Sequence, residues 1–233
     1  MKLGIIGAMD SEVKTLQESL TDASDFHIAS MAFRAGKLQE TDVVVVRCGI
    51  GKVNAAMCVQ ILKDRFSVTH IINTGVAGSL SAALRIGDIV ISTEAVQHDF
   101  DLSPIGFKRG EIPPFGLIAF PADPVLQAAA LQASKALASE IHVCSGRICS
   151  GDQFISGNEQ KQQITDRFGG MCAEMEGASI AQCCVANDIP FVILRAISDQ
   201  ADDSGGISFA EFEADAAKHC IRIVQNMVSL ITK

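Results

Sequence analysis

Short apolar runs alternate along the chain with longer amphipathic stretches. The short runs predict strands over 2–7, 42–49, 70–75, 88–93, 141–148, 170–175 and 190–198. Several are rich in Val and Ile at successive positions, the pattern of strands covered by helices on both faces. Apolar residues spaced three or four apart predict helices over 10–20, 52–66, 124–139, 158–168, 177–187 and 208–231. Strand and helix in alternation imply an α/β fold with a mostly parallel, mixed sheet.

Local punctuation sharpens these boundaries. Asp123 precedes Pro124, an N-cap followed by a proline at the first helical position. Ser208 and Glu211 have capping-box spacing and predict the start of the last helix. Within it Phe209, Phe212, Ala216, Ile223 and Met227 form one stripe, with Val224 and Val228 beside it. The segment 98–121 holds four of the six prolines and reads as a long loop of the kind that often carries function. No internal repeat or low-complexity tract is present, so one domain over 1–233 is expected.

Composition narrows the function. Of 233 residues 48% are apolar, enough for a sizeable core, and the 20% that are charged are scattered rather than blocked. The formal charge of −8 argues against nucleic acid or an anionic membrane as the main partner, but not against a neutral nucleoside. Eight cysteines form no C-x-x-C pair and read as reduced, buried thiols, with no metal site. The run Leu3–Met9 is too short for a secretory segment, and no uncharged stretch reaches membrane-spanning length. The expectation is a cytoplasmic protein.

Several glycine-rich turns fail the usual phosphate fingerprints. Gly4-Ile-Ile-Gly7 lacks G-x-G-x-x-G spacing, and Gly49-Ile-Gly51-Lys52 has Val46 and Val53 where a Walker motif needs Gly and Ser or Thr. Asn73-Thr-Gly75-Val-Ala-Gly78 reads either as a turn that a ligand approaches closely or as a tight strand-to-helix turn without one. His98-Asp99-Phe100-Asp101 offers too few ligands for a metal.

Four acids stand at element junctions. Glu12 lies in the first turn of the helix opening near Asp10, where a dipole-complementing Glu is also ordinary. Asp199 ends the apolar strand FVILRAIS, a position also open to a simple turn Asp. Glu174 and Glu176 run into a charge-free stretch, Gly177–Asn187. In extended geometry residues two apart share a face, and a helix N-terminus stabilises a carboxylate. These acids read as capping or paired groups, or as groups placed inside for use.

Taken in order, GIIGAMDSEV, CGIGKVNAA, INTGVAGSL, GDIVIST, SGDQFI, AEMEGASIA and RAISDQAD resemble the bacterial methylthioadenosine/S-adenosylhomocysteine nucleosidases of the nucleoside phosphorylase-like superfamily. The resemblance spans essentially the whole chain. It implies a three-layer α/β/α sandwich around a central mixed, twisted sheet, and a homodimer. It also implies hydrolysis of the N-glycosidic bond of adenosine thioethers, without a metal or organic cofactor.

Carried over residue by residue, the resemblance makes Asp199 the acid that protonates adenine N7, Glu12 the base that activates water, and Glu176 the group that binds ribose hydroxyls. It puts Met175 on the sugar, Phe154 and Ile155 on adenine, and Val76, Gly78 and Ser198 along the ribose side. Met9, Ile50 and Phe209 would close the apolar end, and Arg195 would pair with local acids and orient the site. Leu102, Ile105, Phe107 and Pro113 would reach the partner subunit's thioether pocket. Val76 stands where many relatives have Ser, and Phe107-Lys108-Arg109 adds positive charge to the loop.

The chemistry suits these residue types. Cleavage builds oxocarbenium character on ribose and negative charge on the base, so an acid must stay protonated near neutral pH. The alternatives left open are a nucleoside phosphorylase, an aminofutalosine nucleosidase and a non-catalytic nucleoside-binding module.

Overall fold

A computed structural model of the protein describes residues 1–137 and 141–231. Ten strands form a single sheet: β1 (Leu3–Gly7), β2 (Thr21–Ile28), β3 (Met31–Leu38), β4 (Thr41–Arg47), β5 (His70–Ser79), β6 (Ile89–Gln97), β7 (Ala119–Pro121), β8 (Val143–Ser150), β9 (Cys172–Glu174) and β10 (Phe191–Asp199). Six helices accompany them: α1 (Asp10–Glu18), α2 (Lys52–Phe66), α3 (Pro124–Ser134), α4 (Asn158–Phe168), α5 (Gly177–Ala186) and α6 (Gly205–Ile231).

The strand order is β10-β6-β8-β9-β5-β1-β4-β3-β2, and β10 also pairs with β5. The strands β5, β10, β6, β8 and β9 therefore close on themselves, while β1, β4, β3 and β2 extend as an open wing. The β1, β4, β5 and β10 pairings are parallel, and β2, β3 and β4 join antiparallel, which makes the sheet mixed.

Alternation along the strands assigns side chains to two layers. Val44 and Val46 face α2 and α5, with Ala55, Cys58, Leu62, Ile180 and Cys184. Val43 and Val45 face α1, α3 and α6, with Val13, Leu16, Leu126, Val224 and Met227. Each of these four valines is fully buried, worth about 1.5–3 kcal/mol apiece by transfer from water. The three-layer α/β/α arrangement is thus written in the period-two pattern of β4.

Other expectations need correction. The segment Asn73–Gly78 is not a strand-to-helix turn. It continues β5 to Ser79, held between β10 and β9. The hairpin β2–β3 did not register in the sequence, because β2 (TDASDFHI) is a largely exposed edge strand without an apolar face. The last helix begins at Gly205, so Ser208 lies inside it rather than capping it. Asp123 does cap α3, accepting from Val125 N at 3.0 Å and Leu126 N at 2.9 Å. The α3 expectation ran to 139, and residues 138 and 139 lie outside the described residues. All eight cysteines are free thiols, six of them buried.

Candidate active site

One cleft opens where β1, β5, β9 and β10 end, roofed by the first turns of α6. It is lined by Glu12, Glu176 and Asp199 together with Met9, Ile50, Val76, Gly78, Phe154, Ile155, Met175, Ser198 and Phe209. Of the residues expected in this chain's own cleft, only Arg195 is missing from the wall. It sits behind it, 2% exposed. Leu102, Ile105, Phe107 and Pro113 do not line the cleft, and Ile105 is 70% exposed on the loop surface.

Glu12 folds back over the N-terminus of its own helix. Its Oε2 accepts from Ala8 N at 2.6 Å and Met9 N at 3.0 Å, and its Oε1 accepts from Val76 N at 3.1 Å. The contact with Val76 requires Gly75, where a Cβ would lie 2.5 Å from Oε1. Burial pushes the Glu12 carboxyl above its ordinary value, outweighing Arg195 and the three N–H donors that favour the ionised form. A carboxylate tuned upward in this way is a better base near neutral pH.

Asp199 is aimed by a β-bulge. In the β10–β5 ladder Ile197 faces Ala77 and Asp199 faces Gly78, so Ser198 is the extra residue that turns Asp199 into the cleft. Asp199 is 1% exposed. Its Oδ1 accepts from Ala201 N at 2.8 Å and its Oδ2 from Ser198 Oγ at 2.9 Å. Burial raises its pKa against these two donors, with Asp202 adding to the rise. Ser198 Oγ also lies 3.4 Å from the Ala77 carbonyl, so its hydrogen has a second acceptor when Asp199 carries a proton.

Glu174 and Glu176 have different duties. Glu174 ends β9 and caps α5, accepting from Glu176 N at 3.0 Å and Gly177 N at 2.7 Å. It takes a further hydrogen bond from Ser150 Oγ and pairs with Arg195 Nη2 at 2.5 Å. Burial alone would raise its pKa, but Arg195 and these donors bring it below the ordinary value. Glu176 has a single strong donor, Gly51 N at 2.8 Å. Burial, then the neighbouring Glu174 charge, pushes Glu176 up to about 8. Glu176 is therefore the acid left free for a ligand.

Arg195 is held by Glu174, by Asn73 Oδ1 at 2.6 Å and by the Leu194 carbonyl at 3.1 Å. Its charge reaches Glu12, Glu174 and Glu176 from behind. At the open end Phe154 meets Phe209 edge-on, with ring centroids 5.5 Å apart and planes at 81°. Sequence reasoning missed Gln153 in the wall and Ser150 and Asn73 in support. All three lie in motifs that it quoted, but an uncharged polar side chain carries no signal of its burial.

Among the described residues no Lys, Arg or His lines the cleft. It is an uncharged-ligand slot with acids on both sides and two phenylalanines at the mouth, suited to a flat base joined to a polyhydroxyl ring. The phosphorylase superfamily profile matches residues 2–229. A protein of Geobacillus sp. (strain WCH70) named 5′-methylthioadenosine/S-adenosylhomocysteine nucleosidase is 41% identical over 100% of both chains. This chain belongs to the 5′-methylthioadenosine/S-adenosylhomocysteine nucleosidase family. Among solved structures, the nucleosidase of Colwellia psychrerythraea 34H in complex with adenine matches with a TM-score of 0.94 and 42% identity, covering 98% of this chain and 95% of that one. The nucleosidase fold is shared with futalosine hydrolase of Helicobacter pylori, at TM-score 0.93 and 32% identity over 98% of this chain and 97% of that one.

Proposed function

We propose that this chain hydrolyses the N-glycosidic bond of methylthioadenosine and S-adenosylhomocysteine, and also of 5′-deoxyadenosine, releasing adenine and the matching ribose derivative. The observation that carries the reading is the meeting of Glu12, Glu176 and Asp199 in one cleft whose lining, among the described residues, holds no basic side chain.

In this reading adenine packs on Phe154 beside Ile155, and Asp199 gives its proton to N7 as the C1′–N9 bond lengthens. Glu176 holds the ribose hydroxyls, with Met175 against the sugar. Water sits between Glu12 and C1′, and Glu12 takes its proton as the new C–O bond forms. The acids also stabilise the developing ribosyl cation, which places the largest electrostatic effect where charge appears. Val76, Gly78 and Ser198 border the ribose, while Met9, Ile50 and Phe209 face the alkylthio group. Arg195 acts from behind, by fixing Glu174.

Water is favoured over phosphate as nucleophile because four carboxyl side chains line the slot and, among the described residues, no basic side chain lines it to receive an anion. The deciding experiment is adenine release from each thioether with and without phosphate. Phosphate-independent release is expected. Release that requires phosphate and yields a sugar 1-phosphate would make the protein a phosphorylase instead. Aminofutalosine belongs in the same assay, because the likeness to a futalosine hydrolase supports it as a second substrate.

The homodimer belongs to this proposal. Ile105 and Phe107 on the loop, and Ile50, Val53 and Met57 at the start of α2, are all exposed apolar side chains that a second copy would cover. No helix among the described residues is long and apolar enough to cross a membrane. A cytoplasmic role in methionine salvage fits the proposed substrates.

A further inference from the structure

Beside the cleft, three charged residues close a ring that the reaction scheme above does not use. Lys52 Nζ pairs with Asp99 Oδ1 at 2.7 Å. Asp99 Oδ2 accepts from Asp152 N at 2.9 Å, and Asp152 Oδ1 accepts from Lys52 N at 2.8 Å. A branch runs from Lys52 Nζ to Gln97 Oε1 at 3.2 Å and on from Gln97 Nε2 to Gln182 Oε1 at 2.5 Å, which anchors the ring on α5.

The placement of the ring gives it consequence. Lys52 directly follows Gly51, whose N–H is the strong donor to Glu176, and Ile50, which lines the cleft. Asp152 directly precedes Gln153, Phe154 and Ile155, the wall on the other side. The ring therefore ties the turn that orients the ribose-side carboxylate to the loop that faces the base. Its fit is close: Gly51 has φ of +100°, and a Cβ there would lie 3.2 Å from Asp152 Oδ1.

We propose that Lys52, Asp99 and Asp152 are positioning residues that fix the separation between the ribose-binding and base-binding walls of the cleft. This rests on the glycosidase reading given above. Breaking the bond between sugar and base moves the two apart, so a site complementary to the transition state must hold its two halves at a set distance. A ground-state nucleoside keeps its own internal geometry and tolerates a looser frame. The ring thus acts on kcat more than on KM.

The test is steady-state kinetics of adenine release from methylthioadenosine by the full-length parent, Asp99→Asn, Lys52→Met and Lys52→Arg, with thermal melts alongside. Asp99→Asn and Lys52→Met are expected to lower kcat by about 10- to 100-fold with KM within about threefold, the pattern of a displaced rather than a removed contact. Lys52→Arg, which can still pair with Asp99, is expected to recover most of kcat. A merely structural role would lower the melting temperature and leave the kcat of the folded fraction intact, and that result overturns the proposal. So does a rise in KM at unchanged kcat. Should Lys52→Met fail to fold, the near-isosteric Asp99→Asn decides alone. A parent that turns over beside unchanged variants overturns the ring while leaving the functional reading in place. A parent that releases no adenine overturns that reading and the positioning role with it.

Discussion

A Cβ on Gly78 would lie 2.7 Å from Asp199 Oδ1 and 2.9 Å from the Cβ of Ala201. The carboxyl therefore occupies the space that a side chain at 78 would need, and the β5–β10 register brings the two residues opposite each other. Gly78→Ala is expected to push Asp199 off its line. We predict a fall in kcat of about 10- to 100-fold, since misplacement of about 1 Å costs roughly that much. Overpacking should destabilise the fold by about 1–3 kcal/mol. Adenine-release kinetics and denaturant titration of the same variant read both effects.

Asp199→Asn keeps the shape and the Ala201 N–H contact but has no acidic proton to give. The expected loss in kcat is about 10²- to 10⁴-fold, with adenine affinity held within about tenfold. Calorimetry with adenine beside turnover measurements separates the two. A variant with parental kcat would remove Asp199 from the role of acid.

The pH profile follows from directions already described. Activity needs Glu12 ionised and Asp199 protonated, and burial raises both groups above their ordinary values. The acid limb of kcat/KM, set by Glu12, should lie above the range of a free glutamate. The alkaline limb, set by Asp199, should lie above the range of a free aspartate. Asp199→Asn should erase the alkaline limb in whatever activity remains.

Stability should carry its own pH signature through Glu176. Its folded value of about 8 exceeds the ordinary 4.5, so over that window the folded chain holds a proton that the unfolded chain has lost. Its contribution is complete below about 4.5 and is lost as pH rises through about 8. Glu176→Gln should therefore gain on the parent as pH rises, by on the order of 1 kcal/mol per pH unit. Urea unfolding at pH 5, 6, 7 and 8 tests this, and a pH-independent difference would contradict it.

Arg195→Met leaves Glu174 buried and ionised without its counter-charge. Breaking a buried pair from one side costs about 3–5 kcal/mol. Adding Glu174→Gln should restore part of that loss, because the remaining group is then neutral. The double-mutant cycle measures the coupling directly.

Much of this architecture was legible from pattern. The Val-rich run of β4 and the Ile-rich run of β1 announced buried strands, and α2 and α4 run as their periodicity dictates. The β2–β3 hairpin was not legible, since β2 is exposed along most of its length and so lacks the contrast on which periodicity depends. The segment Asn73–Gly78 misled for the opposite reason. Its glycines signal a turn, yet Gly75 and Gly78 lie in a strand because Glu12 and Asp199 crowd the space a side chain would fill. The acids could be named from motif order, but their separate electrostatic states could not. Those depend on which carboxylate Arg195 touches, a relation between β9 and β10 that no local window contains.

The single guanidinium behind the cleft has a consequence for how this protein can change over evolutionary time. Arg195 sets the charge balance of Glu12, Glu174 and Glu176 together, so no substitution at one of these acids leaves the other two as they were. Drift in this cluster is therefore expected to be epistatic. Lineages that acquire a new substrate tail can do so freely at the rim, whereas a lineage that exchanges the attacking nucleophile must alter several interior positions in concert.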